Sequence, residues 1–574
     1  MTNSPPKRRS ALTPYSESKG RRPAGGTAPG GKRPARGRVF EDFLSLSVLH
    51  KGYAQHFSPP DLYAMGLAED LSPLSSGDIL RLWEDYSRSP GRGAVNLYLT
   101  VPYCLKRCRY CIFFKKLLSS PRELEEYKDR LAALARFFGP LFGRLEFANL
   151  FFGGGTPSIF TARQLSEIFA GPVSGVRVRP GGEKTFECEP LTASRAKLAA
   201  ARTAGFDRVS LGVQSLNPAV LKLLGRDYQK DGMVSTFLRA ARELGFTDIN
   251  ADLLIGLRGE TPAKFAAGFA KLLRMLPDTV SIYQFIPPQD YLDLYFGGKQ
   301  GVFQKNSLSF RRQVYPLLAA AAERAGFESP GAENFLMRDR MAGSVVFKRR
   351  GAEIKKHYAM GELGPADAYF TLGWQGDSYI PARAFYQTTP LSADPEKNVF
   401  MTVPLSGRKA MVFHVLRRAA SYNEVDREEF LSLFGRDPVA VFGRELAELS
   451  RAGLVRTDRA KIVFAKTDMK TRFLASMIFV GERRLVARVN EWLEERGLAL
   501  RFGRLSYSAS LKYSAPGLSL RLSPARGSAR SPAFEALARK VFERSSSAPG
   551  GLGGRVEAFE KLMKYAVEAH DKAA

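Results

Sequence analysis

Between residues 96 and 287 the apolar positions fall into two alternating rhythms. The segments 96–101 (NLYLTV), 145–152 (LEFANLFF), 184–190 (KTFECEP), 207–213 (DRVSLGV), 247–256 (TDINADLLIG) and 279–287 (TVSIYQFIP) read as strands. Between them the spacing shifts to threes and fours. Residues 122–138, 162–170, 194–205 and 261–276, with further segments up to about residue 244, predict amphipathic helices. Six strand–helix alternations argue for a parallel sheet in an α/β fold, and the length of residues 92–290 fits a partial (β/α)6 barrel. Such barrels place their chemistry at the C-terminal ends of the strands.

The flanks follow other patterns. Residues 39–91 read as a helical lead-in with capped pieces at 58–66 and 74–88, and residues 291–400 as an extension of the barrel. Over residues 401–480 the pattern is helix, helix and a two-stranded wing. Asp426 with Glu429 forms a capping-box pattern closed by Gly435, and a second helix runs from Asp437 and Pro438 to Gly453. This is a winged-helix-like α+β region. Residues 481–574 read as an α+β appendage, with a flexible linker at 544–554 before a terminal helix.

Composition narrows the class. The chain has 574 residues and a formal net charge of +29. Residues 1–38 hold ten Lys or Arg against one acid, Glu17, and are rich in Pro and Gly, so they read as a disordered basic tail. No nucleic-acid recognition motif accompanies the charge, so a nucleic-acid partner is not expected. No apolar run is long enough to span a membrane, and the N-terminus lacks the apolar stretch of a signal peptide. Four cysteines in so long a chain make no disulfide framework, and a cytoplasmic location is expected.

Three of those cysteines, Cys104, Cys108 and Cys111, stand in one loop just past the first strand. Zinc would take four Cys or His ligands, and no fourth lies near in sequence. Three thiolates suit an iron–sulfur cluster, with one iron left open to another ligand. Strand parity in FECEP sets Glu187 and Glu189 on one face and Cys188 on the other, so Cys188 reads as a buried filler.

With this loop, FFGGGTPS (151–158), TFECEP (185–190), LGVQS and LLGR (211–226), NADLLIGL (250–257) and SIYQF (281–285) resemble, in order and interval, the radical S-adenosylmethionine (SAM) superfamily. Within it they resemble the oxygen-independent coproporphyrinogen III oxidase family, which includes haem chaperones and class C methyltransferases. The resemblance implies one [4Fe–4S] cluster on Cys104, Cys108 and Cys111. It implies SAM contacts from Tyr98, Tyr110, Gly154, Gly155, Thr156, Glu187, Gln214, Arg226 and Asp252. It further implies reductive cleavage of SAM to a 5′-deoxyadenosyl radical, a tetrapyrrole substrate, and an electron donor such as flavodoxin or ferredoxin. A haem-binding chaperone and a methyltransferase using two SAM molecules remain the alternatives. His357 and His414 are the histidines of the later core that a haem ligand would draw on. The chain departs from the decarboxylating pattern twice, with Thr100 in place of a His and Phe113 in place of a further Cys. Both departures point away from coproporphyrinogen decarboxylation.

Overall fold

The strand segments of the first half of the chain become the middle of one large sheet. The computed structural model describes residues 72–573 except 90–94, 112–115, 286, 299, 329–344, 353–367, 375, 466–475, 482–484, 487–488, 491–492, 494–497, 503–504, 515–516, 526–528 and 550. The basic tail, the piece at 58–66, Phe113 and His357 therefore lie outside the described residues.

The alternation runs β1 (Val95–Val101), α1 (Pro121–Phe142), β2 (Phe147–Gly154), α2 (Ala162–Ala170), β3 (Lys184–Cys188), α3 (Arg195–Thr203) and β4 (Arg208–Gln214). It continues with α4 (Pro218–Leu223), α5 (Asp231–Glu243), β5 (Asp248–Ile255), α6 (Pro262–Leu273) and β6 (Thr279–Gln284). Strands β1 to β6 lie side by side in sequence order, all parallel. A seventh parallel strand, β7 (Ala368–Leu372), pairs with the free side of β1, with Phe370 opposite Leu97. Among the described residues, antiparallel strands extend both sides to thirteen in all, with Ser72–Ser75 at one end of the ladder and Phe327–Glu328 at the other.

Local signals explain the helices. Thr161 and Gln164 form a capping box at the start of α2. Thr261 caps α6, and Pro262 occupies its first turn. In α1 the buried residues Leu124, Tyr127, Leu131, Leu134 and Phe138 recur at helical spacing and cover the sheet. That helix runs past the expected end at 138 to Phe142, with Pro140 in its last turn. The segment at 74–88 divides into strand Ser72–Ser75 and helix Ser76–Ser87, whose Trp83 and Tyr86 enter the main core.

Residues 407–464 form a helix (Gly407–Tyr422), a strand (Glu424–Asp426), two helices (Arg427–Phe434 and Pro438–Arg451) and two strands (Val455–Thr457 and Lys461–Phe464). The three short strands make one antiparallel sheet. The Asp426 side chain accepts from Glu429 N–H, and that of Asp437 from Val439 N–H, so both helices start where their caps stand. The C-terminal part is a three-stranded antiparallel sheet with helices Pro532–Ser545 and Gly551–Ala573. The expected linker 544–554 is a turn at 546–549 between two helices, and the second helix starts at Gly551, inside the expected linker: its Leu552 packs in a second core that also holds Phe413, Phe430 and Phe479. Packing there overrides the poor helix propensity of its Gly and Ser residues.

Candidate cofactor site

A cleft opens at the C-terminal ends of the parallel strands. It is lined by Cys104, Cys108, Tyr110, Cys111, Gly154, Gly155, Thr156, Glu187, Gln214, Arg226 and Asp252, among others. Of the residues expected here from the sequence, Tyr98 alone stands outside the lining. Its half-buried ring stacks on Phe151 at 5.5 Å behind the glycine turn.

The three thiols are half-exposed. Two backbone bonds shape their loop: Cys111 N–H donates to Cys108 O at 3.1 Å, and Arg109 N–H to Leu224 O at 3.1 Å. Burial pushes the Cys104 thiol up, and a hydrogen bond with the Thr156 side chain pulls it back. Among the described residues, no three His, Cys, Asp or Glu side chains stand close enough to share one metal ion.

The glycine turn needs its glycines for space. A Cβ on Gly155 would stand 2.7 Å from Tyr103 O and 3.0 Å from Cys104 Sγ. Gly154 has φ +110°, and a Cβ there would meet Thr100 Oγ1 and Val101 O at 2.7 Å. Gly153, one residue earlier, is as constrained: a Cβ would collide with Glu187 Oε2 and lie 2.8 Å from Tyr98 Oη. Thr100 itself is buried, and its carbonyl accepts from Tyr127 Oη at 2.6 Å.

Two carboxyls face the cleft from β3 and β5. Gly154 N–H donates to Glu187 Oε2 at 3.1 Å. Burial and the neighbouring Asp252 push the Glu187 carboxyl up to about 8. Burial also raises Asp252, which accepts from Ser210 Oγ at 2.8 Å and Asn250 Nδ2 at 2.7 Å. Register carries this arrangement, since Glu187 lies opposite Ser210 and Gly212 opposite Asp252.

Arg226 is no surface ion-pair residue. It is 2% exposed, its Nη1 donates to Gly212 O at 2.6 Å, and its Nη2 pairs with Glu189 Oε1 at 3.1 Å. Its Nε is buried without a partner. The same Glu189 oxygen accepts from Tyr228 Oη at 2.6 Å. Sequence reasoning missed Glu189 and Tyr228; the parity that set Glu189 beside Glu187 was the available signal. Just past the carbonyls held by Arg226, Gln214 sits at φ 67°, where β4 slips register against β5. A glutamine in that left-handed region is uncommon, and here it stands at the cleft. Tyr110 packs against the small cluster of Val220, Leu224, Phe285 and Tyr291. Cys188 is 6% exposed and belongs to the main core. His414 is 1% exposed, with the rings of Phe430 and Phe434 edge-on to it, so it offers no open ligand position.

Residues 98–269 match the radical SAM superfamily. They form a radical SAM domain. Among curated relatives, the Bos taurus mitochondrial radical S-adenosyl methionine domain-containing protein 1 is 32% identical over 43% of this chain and 56% of its own. The oxygen-independent coproporphyrinogen III oxidase of Salmonella typhimurium is 28% identical over 44% of this chain and 54% of its own. The chain thus spans about half the length of the curated relatives it matches. The solved coproporphyrinogen III oxidase of Escherichia coli, described as a radical SAM enzyme, aligns with TM-score 0.55 at 21% identity, over 75% of this chain and 98% of that one. That likeness shows the fold.

The radical SAM domain begins within β1 and ends within α6, so it holds the cysteine loop, the glycine turn and both carboxyls. A [4Fe–4S] cluster and SAM are the cofactors of such domains. The residues fit them. In a cluster each thiolate takes a different iron, so thiols spread along one loop suit it where a single ion would need them to converge. The turn leaves free the space that a Cβ on Gly155 would take beside Cys104 Sγ.

Proposed function

We propose that the chain is an enzyme that cleaves SAM reductively at one [4Fe–4S] cluster held by Cys104, Cys108 and Cys111, and acts through the resulting radical on a tetrapyrrole. One observation carries this reading: three half-exposed thiols, the glycine turn and two half-buried carboxyls open on one cleft at the ends of parallel strands. When bound, the cluster supplies an electron that breaks the sulfonium bond of SAM.

The chain's own residues bind and orient. Gly154, Gly155 and Thr156 let backbone approach the ligand. Glu187 and Asp252 supply acceptor oxygens for an ammonium and for ribose hydroxyls. Burial keeps a proton on the Glu187 carboxyl near neutral pH, and a cationic ligand favours its release, so binding is coupled to a proton. Arg226 and Glu189 fix the β4 end that carries Gln214, and the buried Nε of Arg226 is a donor for an anionic group. Tyr98 and Tyr110 brace the turn and the cysteine loop.

The tetrapyrrole rests on the names of sequence relatives. The electron comes from outside, from a carrier such as flavodoxin or ferredoxin. No helix among the described residues is long and apolar enough to cross a membrane, and the four cysteines are free thiols, which suits a reducing compartment such as the cytoplasm. The test is anaerobic incubation of reconstituted protein with SAM, reductant and a panel of tetrapyrroles, followed by mass. A reductant-dependent mass change in a tetrapyrrole supports the reading. SAM cleavage that no tetrapyrrole alters would remove the substrate class.

A further inference from the structure

The loop that carries the three cysteines is also strongly exposed. Leu105 is 46% exposed, and Lys106, Arg107 and Arg109 all face solvent. It is joined to a second exposed turn. Besides the bond from Arg109 N–H to Leu224 O, a Cβ on Gly225 would stand 3.7 Å from Arg107 O. At the end of α4, just before that turn, Lys222 is exposed and Leu223 is 37% exposed. Leu223 in turn borders Gly259, next to exposed Arg258, whose guanidinium lies over the Tyr295 ring at 4.3 Å.

Single exposed leucines are ordinary on protein surfaces. Here Leu105 lies within the cysteine loop, and Leu223 ends the helix whose following turn is hydrogen-bonded to that loop. Charge adds to the pattern. Across residues 105–111 and 218–229 the exposed cations are Lys106, Arg107, Arg109 and Lys222, and the one exposed acid is Asp227. An apolar patch set among cations is the make-up of a small, electrostatically steered encounter surface.

Resting on the SAM-cleaving reading above, we infer that this face, Leu105 to Arg109 together with Lys222, Leu223 and Arg258, docks an acidic one-electron carrier protein. The carrier must bring its electron to the cysteine loop. Of the four cysteines, the one outside this loop, Cys188, lies in the main core, so the chain holds no second cysteine group to relay it. One electron leaves the carrier's reduced flavin and one enters the bound cluster. No atom is transferred, and an anionic reduced flavin needs to lose no proton. Other occupants fit less well. The basic tail, with its ten cations and one acid, carries the same sign as this face. A second copy docked symmetrically would set the same cations against themselves.

The test uses the full chain, an acidic flavodoxin as probe, and the double variant Lys222→Glu/Arg258→Glu, both sites lying outside the cysteine loop. Flavodoxin binding to the protein is measured by calorimetry, which needs no turnover. We expect affinity to fall about tenfold or more from low to physiological ionic strength, and by a similar factor in the double variant. A melting curve shows that the variant folds, and the single variant Lys222→Glu stands in if it does not. In a second arm, SAM cleavage driven by dithionite stays at the wild-type rate in the variant, while cleavage driven by reduced flavodoxin drops about tenfold. Salt-insensitive binding, or binding unchanged by charge reversal, overturns the docking face. A variant whose oligomeric state changes instead assigns the face to a second copy and also overturns it. Failure of the SAM-cleaving reading looks different: the wild type would yield no cleavage even with dithionite, while the binding arm would still decide the docking face.

Discussion

The amide of Gly154 donates to Glu187 Oε2 at 3.1 Å, and so ties the end of β2 to the end of β3. The bond holds the glycine turn over a carboxyl that burial and Asp252 push up to about 8. Space at the turn and charge beneath it are therefore linked through one contact.

Gly154→Ala tests the space. At φ +110° a Cβ is strained, and it would stand 2.7 Å from Val101 O, a backbone atom. We expect a loss of about 1–3 kcal/mol in stability, read by chemical denaturation. An unchanged midpoint would mean that the turn relaxes freely.

Glu187 gives a pH signature. Its folded pKa lies above the unfolded value of about 4.3, so between the two the native state binds the extra proton. Stability of the cofactor-free protein then declines as pH rises from that range through about 8, by about 1.4 kcal/mol per unit of pKa difference at most. Asp252, also raised, adds in the same direction. Glu187→Gln keeps an acceptor oxygen for Gly154 and removes the titration. The difference in unfolding free energy between the two proteins, measured from pH 5.5 to 9, should therefore favour the variant increasingly as pH rises.

The thiols divide three to one. Iron and sulfide after anaerobic reconstitution should fall to background in Cys104→Ala, Cys108→Ala and Cys111→Ala. Cys188→Ala should keep wild-type loading and lose only the stability of a small core side chain. Equal iron loss in Cys188→Ala would contradict the ligand assignment.

Arg226→Met removes a buried cation that serves Gly212 O and Glu189. Glu189 would be left half-buried without its cation, and stability should fall by about 3–5 kcal/mol. Tyr228→Phe, which leaves Arg226 on Glu189, should cost about 1 kcal/mol. A ligand-only role for Arg226 would leave the melting temperature of the cofactor-free protein unchanged.

Much of this was legible in the residues. Strand periodicity and the parity of FECEP put Glu187 at the cleft; Cys188 is buried in the main core as read, although it also borders that cleft. The capping residues Asp426 and Asp437 marked helix starts through bonds their own side chains make. What stayed hidden depends on partners far along the chain. Strand β7 is five residues long and parallel to β1, which precedes it by more than 260 residues, and no local pattern announces such a pairing. The constraint on Gly153 comes from Tyr98 and Glu187, on neighbouring strands. The helix from Gly551 forms where composition favoured a linker, because Leu552, Val556, Phe559 and Met563 are fully buried along one face.

The central claim, reductive SAM cleavage at the cysteine loop, is tested most directly by quantifying 5′-deoxyadenosine from anaerobically reconstituted protein with SAM and dithionite, with and without coproporphyrinogen III. The account predicts 5′-deoxyadenosine in the wild type, background levels in Cys104→Ala, and no stoichiometric protoporphyrinogen, because Thr100 supplies no imidazole and is buried behind the turn. Fully iron-loaded wild-type protein that forms no 5′-deoxyadenosine under either condition would contradict it.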